Sequence, residues 1–121
     1  MIKLVRYSSK ILTYNVTSVP DGTEIAEAFL TVKEEPSVLD SMSDIFKTIT
    51  PTPGADGQVI DTGADTIGKL EFYIGPSDTT LLSTNQYYYV AVKIKLDNDE
   101  VYLLEESIEP ARVLEFGIEQ L

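Results

Sequence analysis

With neither cysteine nor histidine among its 121 residues, the chain lacks the side chains that most often serve as nucleophile, as general base near neutral pH and as zinc ligand. Chemistry would have to come from carboxylates and tyrosine rings. Asp97, Asn98, Asp99 and Glu100 offer four oxygen ligands of the kind Ca²⁺ takes. A calcium loop, however, also needs a later glycine and a bidentate glutamate near its twelfth position, and Leu103 and Leu104 follow instead. The run reads as a hairpin turn. Asp56, Asp61 and Asp65 are three carboxylates at irregular spacing beside Gly57 and Gly63, and Asp with Gly is also what tight turns demand. A glycosidase couple needs only two carboxylates at a set separation. The 20 acidic residues neither refute nor support one, and small all-β domains rarely hold the cleft it requires. Tyr87, Tyr88 and Tyr89 are the remaining group. On a strand, Tyr87 and Tyr89 lie on the face opposite Tyr88, where they either pack or offer rings to a protein partner or, less readily, a sugar.

These residues can work only where folded elements hold them, and the element signal is two-residue alternation in short runs separated by Gly, Pro, Asp and Asn. In Gln86 to Leu96, residues Tyr88, Val90, Val92, Ile94 and Leu96 share one face; Tyr87, Tyr89, Ala91, Lys93 and Lys95 share the other. The first face is core and the second meets water. Asp97 to Glu100 then turns the chain into Val101 to Leu104, a β-hairpin. Further strands are expected at Leu70, Phe72 and Ile74, at Ile45 and Ile49, and at Ala28, Leu30 and Val32. IKLVRY and ILTYNVT flank Ser8, Ser9 and Lys10, and VLEFGIE sets Leu114, Phe116 and Ile118 together. About eight short strands with no strong helix predict an all-β sandwich or barrel, of which a two-sheet antiparallel sandwich of about seven to nine strands is the expected form. Residues 36–44 and 76–82 each promise a single helical turn, with Pro followed by Ser and Asp. Residues 49–66, rich in Pro, Gly, Thr and Asp, read as one long loop.

The length suits one domain, residues 1–121, which buries roughly two-thirds of its unfolded surface and needs no disulfide or metal staple. No apolar run approaches the ~20 residues of a membrane span, and MIKLVRYSSK lacks a signal peptide's apolar stretch. The chain is therefore expected to be soluble and unprocessed. Its net charge is −11, which argues against nucleic acid and anionic membranes as partners. The charge is uneven. Lys3, Arg6 and Lys10 make residues 1–10 basic, whereas residues 97–121 carry eight acids against Arg112 alone. A solvated acidic surface accounts for most of this; a head-to-tail contact between oppositely charged ends of neighbouring copies is the sharper reading.

The order of these features resembles the immunoglobulin-like modules in tail, baseplate and capsid-decoration proteins of tailed bacteriophages. The resemblance is carried by AEAFLTVK at residues 26–33, DTTLLSTNQYYYVAVKI at 78–94 and LDNDEVYLLEESI at 96–108. It implies an immunoglobulin-like sandwich and a non-enzymatic structural protein of the virion, assembled in the host cytoplasm, with other virion proteins and copies of itself as partners. It carries no catalytic residue, cofactor or metal. Edge strands such as IKLVRY or VLEFGIE would pair with a neighbour, so that removing residues 1–7 leaves a folded monomer unable to assemble. The expected interface residues are Lys3, Arg6, Tyr87, Tyr89, Glu115 and Glu119. The alternative is a glycan- or receptor-binding sandwich using Tyr87, Tyr89 and the 49–66 loop.

Overall fold

A computed structural model describes residues 1–17, 19–64, 67–84 and 86–114. Along these residues the chain forms β1 (Ile2–Val5), β2 (Lys10–Val16), β3 (Ile25–Lys33), β4 (Ile45–Ile49), β5 (Gly57–Asp61), β6 (Gly68–Ile74), the single turn α1 (Pro76–Thr79), β7 (Tyr87–Leu96) and β8 (Val101–Leu114). A short 3₁₀ turn at Asp40–Met42 lies between β3 and β4. Both expected helical turns are present, and neither extends further.

The strands make a five-stranded sheet in the order β1-β8-β7-β3-β4 and a three-stranded sheet in the order β2-β6-β5. Placing β2, β5 and β6 in one sheet and β1, β3, β4, β7 and β8 in the other gives a two-sheet β-sandwich. All strand pairs are antiparallel except β1 with β8, which run parallel. Alternation is realised as expected: Tyr88, Val90, Val92, Ile94 and Leu96 are buried, as are Ala28, Leu30 and Val32 on β3 and Leu70, Phe72 and Ile74 on β6. Burying one face of each strand against the opposite sheet is the main stabilising term.

Two polar devices position the chain around β7. The Tyr88 ring lies in the core while its hydroxyl accepts the Ser83 N–H at 2.8 Å, tying the approach to β7 back onto the ring as a tyrosine corner does. On β8, Val90 pairs with Glu109 but Val92 pairs with Leu104, so five steps on β8 oppose two on β7. The three surplus residues form a bulge. Ser107, 1% exposed, closes the gap. Its Oγ accepts the Val92 N–H at 2.8 Å and donates to the Leu104 carbonyl at 2.5 Å, replacing ladder bonds that the insertion removes.

Three expectations need correction. Residues 49–66 are not one loop, because β5 lies within them. Val59 is that strand's single buried apolar side chain, too little for alternation to register. Gly57, at φ 130°, lets the strand approach β6 where a Cβ would fall 2.0 Å from the Glu71 carbonyl oxygen. Val101 to Leu104 and residues 113–114 belong to one strand, β8, because Ser107 carries the sheet through the acidic stretch between them; Phe116 and Ile118 lie outside the described residues. Finally, of the two expected edge strands, β1 is the outermost strand of its sheet, with Leu4 1% exposed within the core, whereas residues 113–114 lie on β8, flanked by β1 and β7.

Ser107→Ala is expected to lower unfolding stability by about 1–3 kcal/mol by stranding the buried Val92 N–H, read by urea denaturation. Leu4→Ala is expected to cost about 2–5 kcal/mol in the same assay. By the same reasoning, removing residues 1–7 lowers stability instead of yielding an otherwise intact monomer.

Candidate functional site

The acidic groups are used by the fold. In the β7–β8 turn, Asp99 sits at φ 70° and its N–H donates to the Leu96 carbonyl at 3.0 Å, while Asn98 Oδ1 accepts the Glu100 N–H at 3.1 Å. These are the hydrogen bonds of a hairpin turn. Asp56 precedes β5 and Asp61 ends it, so strand rise separates them by roughly 16 Å, far beyond the spacing of a glycosidase couple. Asp56 accepts the Thr48 N–H, and Asp61 accepts the Gly63 N–H at 2.8 Å. Asp65 lies outside the described residues. Among the described residues, no group of three His, Cys, Asp or Glu side chains is placed to hold a metal.

What the fold does assemble is the outer face of the five-stranded sheet. Directly opposed residues project to the same side, so the registers define rows. Lys3 opposes Arg112 and Arg112 opposes Tyr87, a row across β1, β8 and β7. Tyr89 opposes Lys33 and Pro110; Ala91 opposes Thr31, which opposes Phe46; and Lys93 opposes Phe29 and Leu103. Tyr87 is 49% exposed, Tyr89 38% and Phe46 47%. The Phe29 and Phe46 rings lie 6.0 Å apart, and the Arg112 guanidinium is 5.9 Å from the Tyr87 ring centre, within cation–π range. Of the nine basic residues, Lys3, Lys33, Lys93 and Arg112 belong to these rows. In a chain of net charge −11, this is a local concentration of cations.

At the centre of the face lies a hollow of about 240 Å³. Small side chains at Ala91 and Thr31 leave it open, and Tyr89, Leu103 and Ile108 wall it. Ile108 belongs to the residues by which β8 exceeds β7, so the bulge helps to shape the wall. The β3–β4 connection folds over one side and is clasped there. Asp40 receives Lys33 Nζ at 2.5 Å and Lys93 Nζ at 2.7 Å, and Lys33 also donates to the Val38 carbonyl at 2.6 Å. Hydrogen bonds from Lys33 and then Lys93 hold the Asp40 carboxyl below its usual range. Asp44, at the end of the same connection, is raised instead, by burial and then by Glu34.

Of the residues expected at an interface, Lys3, Tyr87 and Tyr89 come together on this face. Arg6 does not. It is half-buried beyond β1, with its N–H bonded to the Leu114 carbonyl and its guanidinium 5.1 Å from the centre of the Tyr7 ring. Glu115 and Glu119 lie outside the described residues. The two oppositely charged ends are neighbours within one chain, since β1 runs along β8 and the Met1 amino group lies 2.9 Å from Glu109. Phe29, Thr31, Lys33, Asp40, Phe46, Leu103, Ile108 and Arg112 are among the face residues that sequence reading missed. Parity could have found the two phenylalanines, because each sits out of step with the core residues of its own strand.

The depressed Asp40 carboxyl stabilises the fold above the unfolded-state value of about 3.9; that contribution is lost as pH falls through the lower folded value. With Asp40 34% exposed, the contribution is less than about 1 kcal/mol. Urea titrations are expected to show Asp40→Asn less stable than the parent at neutral pH, the gap closing as pH falls below about 4. Comparison with protein-family models, with curated proteins and with solved structures finds no match to this chain.

Proposed function

We propose that this chain is a non-enzymatic assembly module that docks the outer face of its five-stranded sheet onto acidic protein surfaces, those of its own copies included. The hollow over Ala91 and Thr31, walled by Tyr89, Leu103 and Ile108 and flanked by Lys33 and Lys93, is the observation that carries this reading. Interfaces concentrate their energy where large side chains fill desolvated pockets inside a polar rim, and this face has that layout. Five strands about 4.8 Å apart and up to about 33 Å long offer on the order of 700 Å², close to the roughly 800 Å² per partner of a standard interface. A stand-alone hydrolase is less well supported, because the carboxylates described above are engaged in turns and ion pairs.

The setting we propose is a tailed-bacteriophage particle, with capsid decoration, neck or baseplate as its place and neighbouring virion proteins as partners. The pattern of residues 26–33 and 78–108 supports that setting. A saccharide platform built on Tyr87 and Tyr89 is the weaker alternative, since Arg112 already occupies one side of the Tyr87 ring.

Light scattering on a sizing column gives the test. At low salt the full chain is expected to run as a defined oligomer that loosens as salt rises. Ala91→Arg, which crowds the hollow without touching the core, is expected to yield a folded monomer. An oligomer indifferent to Ala91→Arg would move the joint to a strand edge, and a strict monomer near 1 mM would end the self-assembly reading.

A further inference from the structure

Resting on that reading of the outer face, we propose that its occupant is the segment following β8, residues 115–121, of a second copy of this chain, with Phe116 entering the hollow. Three observations select it. The first is charge: Lys3 and Arg112 flank the Tyr87 row, Lys33 and Lys93 border the hollow with one carboxylate, Asp40, between them, and residues 115–121 carry Glu115 and Glu119 with no basic residue. Opposite charges at a rim steer encounter and set orientation. The second is size, because about 240 Å³ lined by Tyr89, Leu103 and Ile108 suits one large apolar side chain, and Phe116 directly follows Glu115.

The third is reach, which decides between the same chain and a second one. Arg112 opposes Tyr87, so Leu114 ends β8 two residues beyond that row, while Ala91 lies four residues from it in the other direction. Strand rise makes this roughly 20 Å. Phe116 is two residues past Leu114 and can move at most about 7 Å from it, a gap its side chain cannot span. Phe116 therefore cannot fill the centre of the hollow, over Ala91, in its own chain. A donor segment on one surface patch and an acceptor hollow on another form a heterologous contact, which closes into a ring or continues as a filament according to the rotation between copies.

The experiment combines full-chain variants with a competing peptide of residues 113–121, VLEFGIEQL. Sedimentation and light scattering at low salt are expected to show Phe116→Ala weakening self-association at least about tenfold, matching Ala91→Arg. The free peptide should dissociate the wild-type oligomer and shift the amide resonances of β7 in the Phe116→Ala chain. Joint replacement of Glu115 and Glu119 by glutamine should weaken association and flatten its salt dependence. If Ala91→Arg disrupts the oligomer while Phe116→Ala and the peptide have no effect, the face stands and this occupant is wrong. If the wild-type chain is monomeric near 1 mM and the peptide shifts no β7 resonance, the occupant is likewise overturned.

Discussion

The two-residue period of β7, held between β3 on one side and β8 on the other, is the constraint on which the molecule depends. One parity of the strand, Tyr88 through Leu96, is buried against the smaller sheet; the other, Tyr87 through Lys95, forms the centre of the outer face. The two faces cannot be adjusted independently, because a register slip of one residue would exchange core and surface along the whole strand. The Tyr88 hydroxyl bond to Ser83 and the Ser107 bonds to β7 and to Leu104 act against such a slip by giving β7 specific polar partners.

Ser107 links core and surface more directly. The insertion it closes would otherwise leave the Val92 N–H unpaired in the interior, at a cost comparable to a lost buried hydrogen bond. With the gap closed, β8 continues as one strand from Val101 to Leu114, and the surplus residues move outward where Ile108 walls the hollow. The polar repair in the sheet and the concavity on its face thus have a common origin. Bulges serve this purpose in sheets generally, re-aiming side chains at positions where regular pairing would leave a flat surface.

Charge follows the same architecture. Asp21, Glu24, Asp97, Asp99 and Glu100 occupy the β2–β3 connection and the β7–β8 turn, which the Asp97 N–H joins by a 2.9 Å bond to the Glu24 carbonyl. Basic residues gather in the rows of the outer face, where Asp40 crosses from the β3–β4 connection to neutralise part of that charge between Lys33 and Lys93. A strongly acidic chain thereby gathers Lys3, Lys33, Lys93 and Arg112 on one face, and under the proposed function such a grouping would favour oriented docking.

The sequence by itself determined the class of fold, the inward parity of β3, β4, β6 and β7 and the polar turn after Leu96, because alternation and turn chemistry are properties of neighbouring residues. It also placed Tyr87 and Tyr89 opposite Tyr88. Only the tertiary structure decided that β5 exists, since its single buried valine and its glycine acquire meaning through β6, and that β8 is continuous, since Ser107 acts through Val92. The site itself was almost wholly non-local. Lys3, Arg112 and Tyr87 meet through the registers of three strands, and Asp40 meets Lys93 across 53 residues of sequence. Phe29 meets Phe46 only because β3 pairs with β4. Strand order and register arise from contacts between distant segments, which a local hydrophobic pattern does not encode.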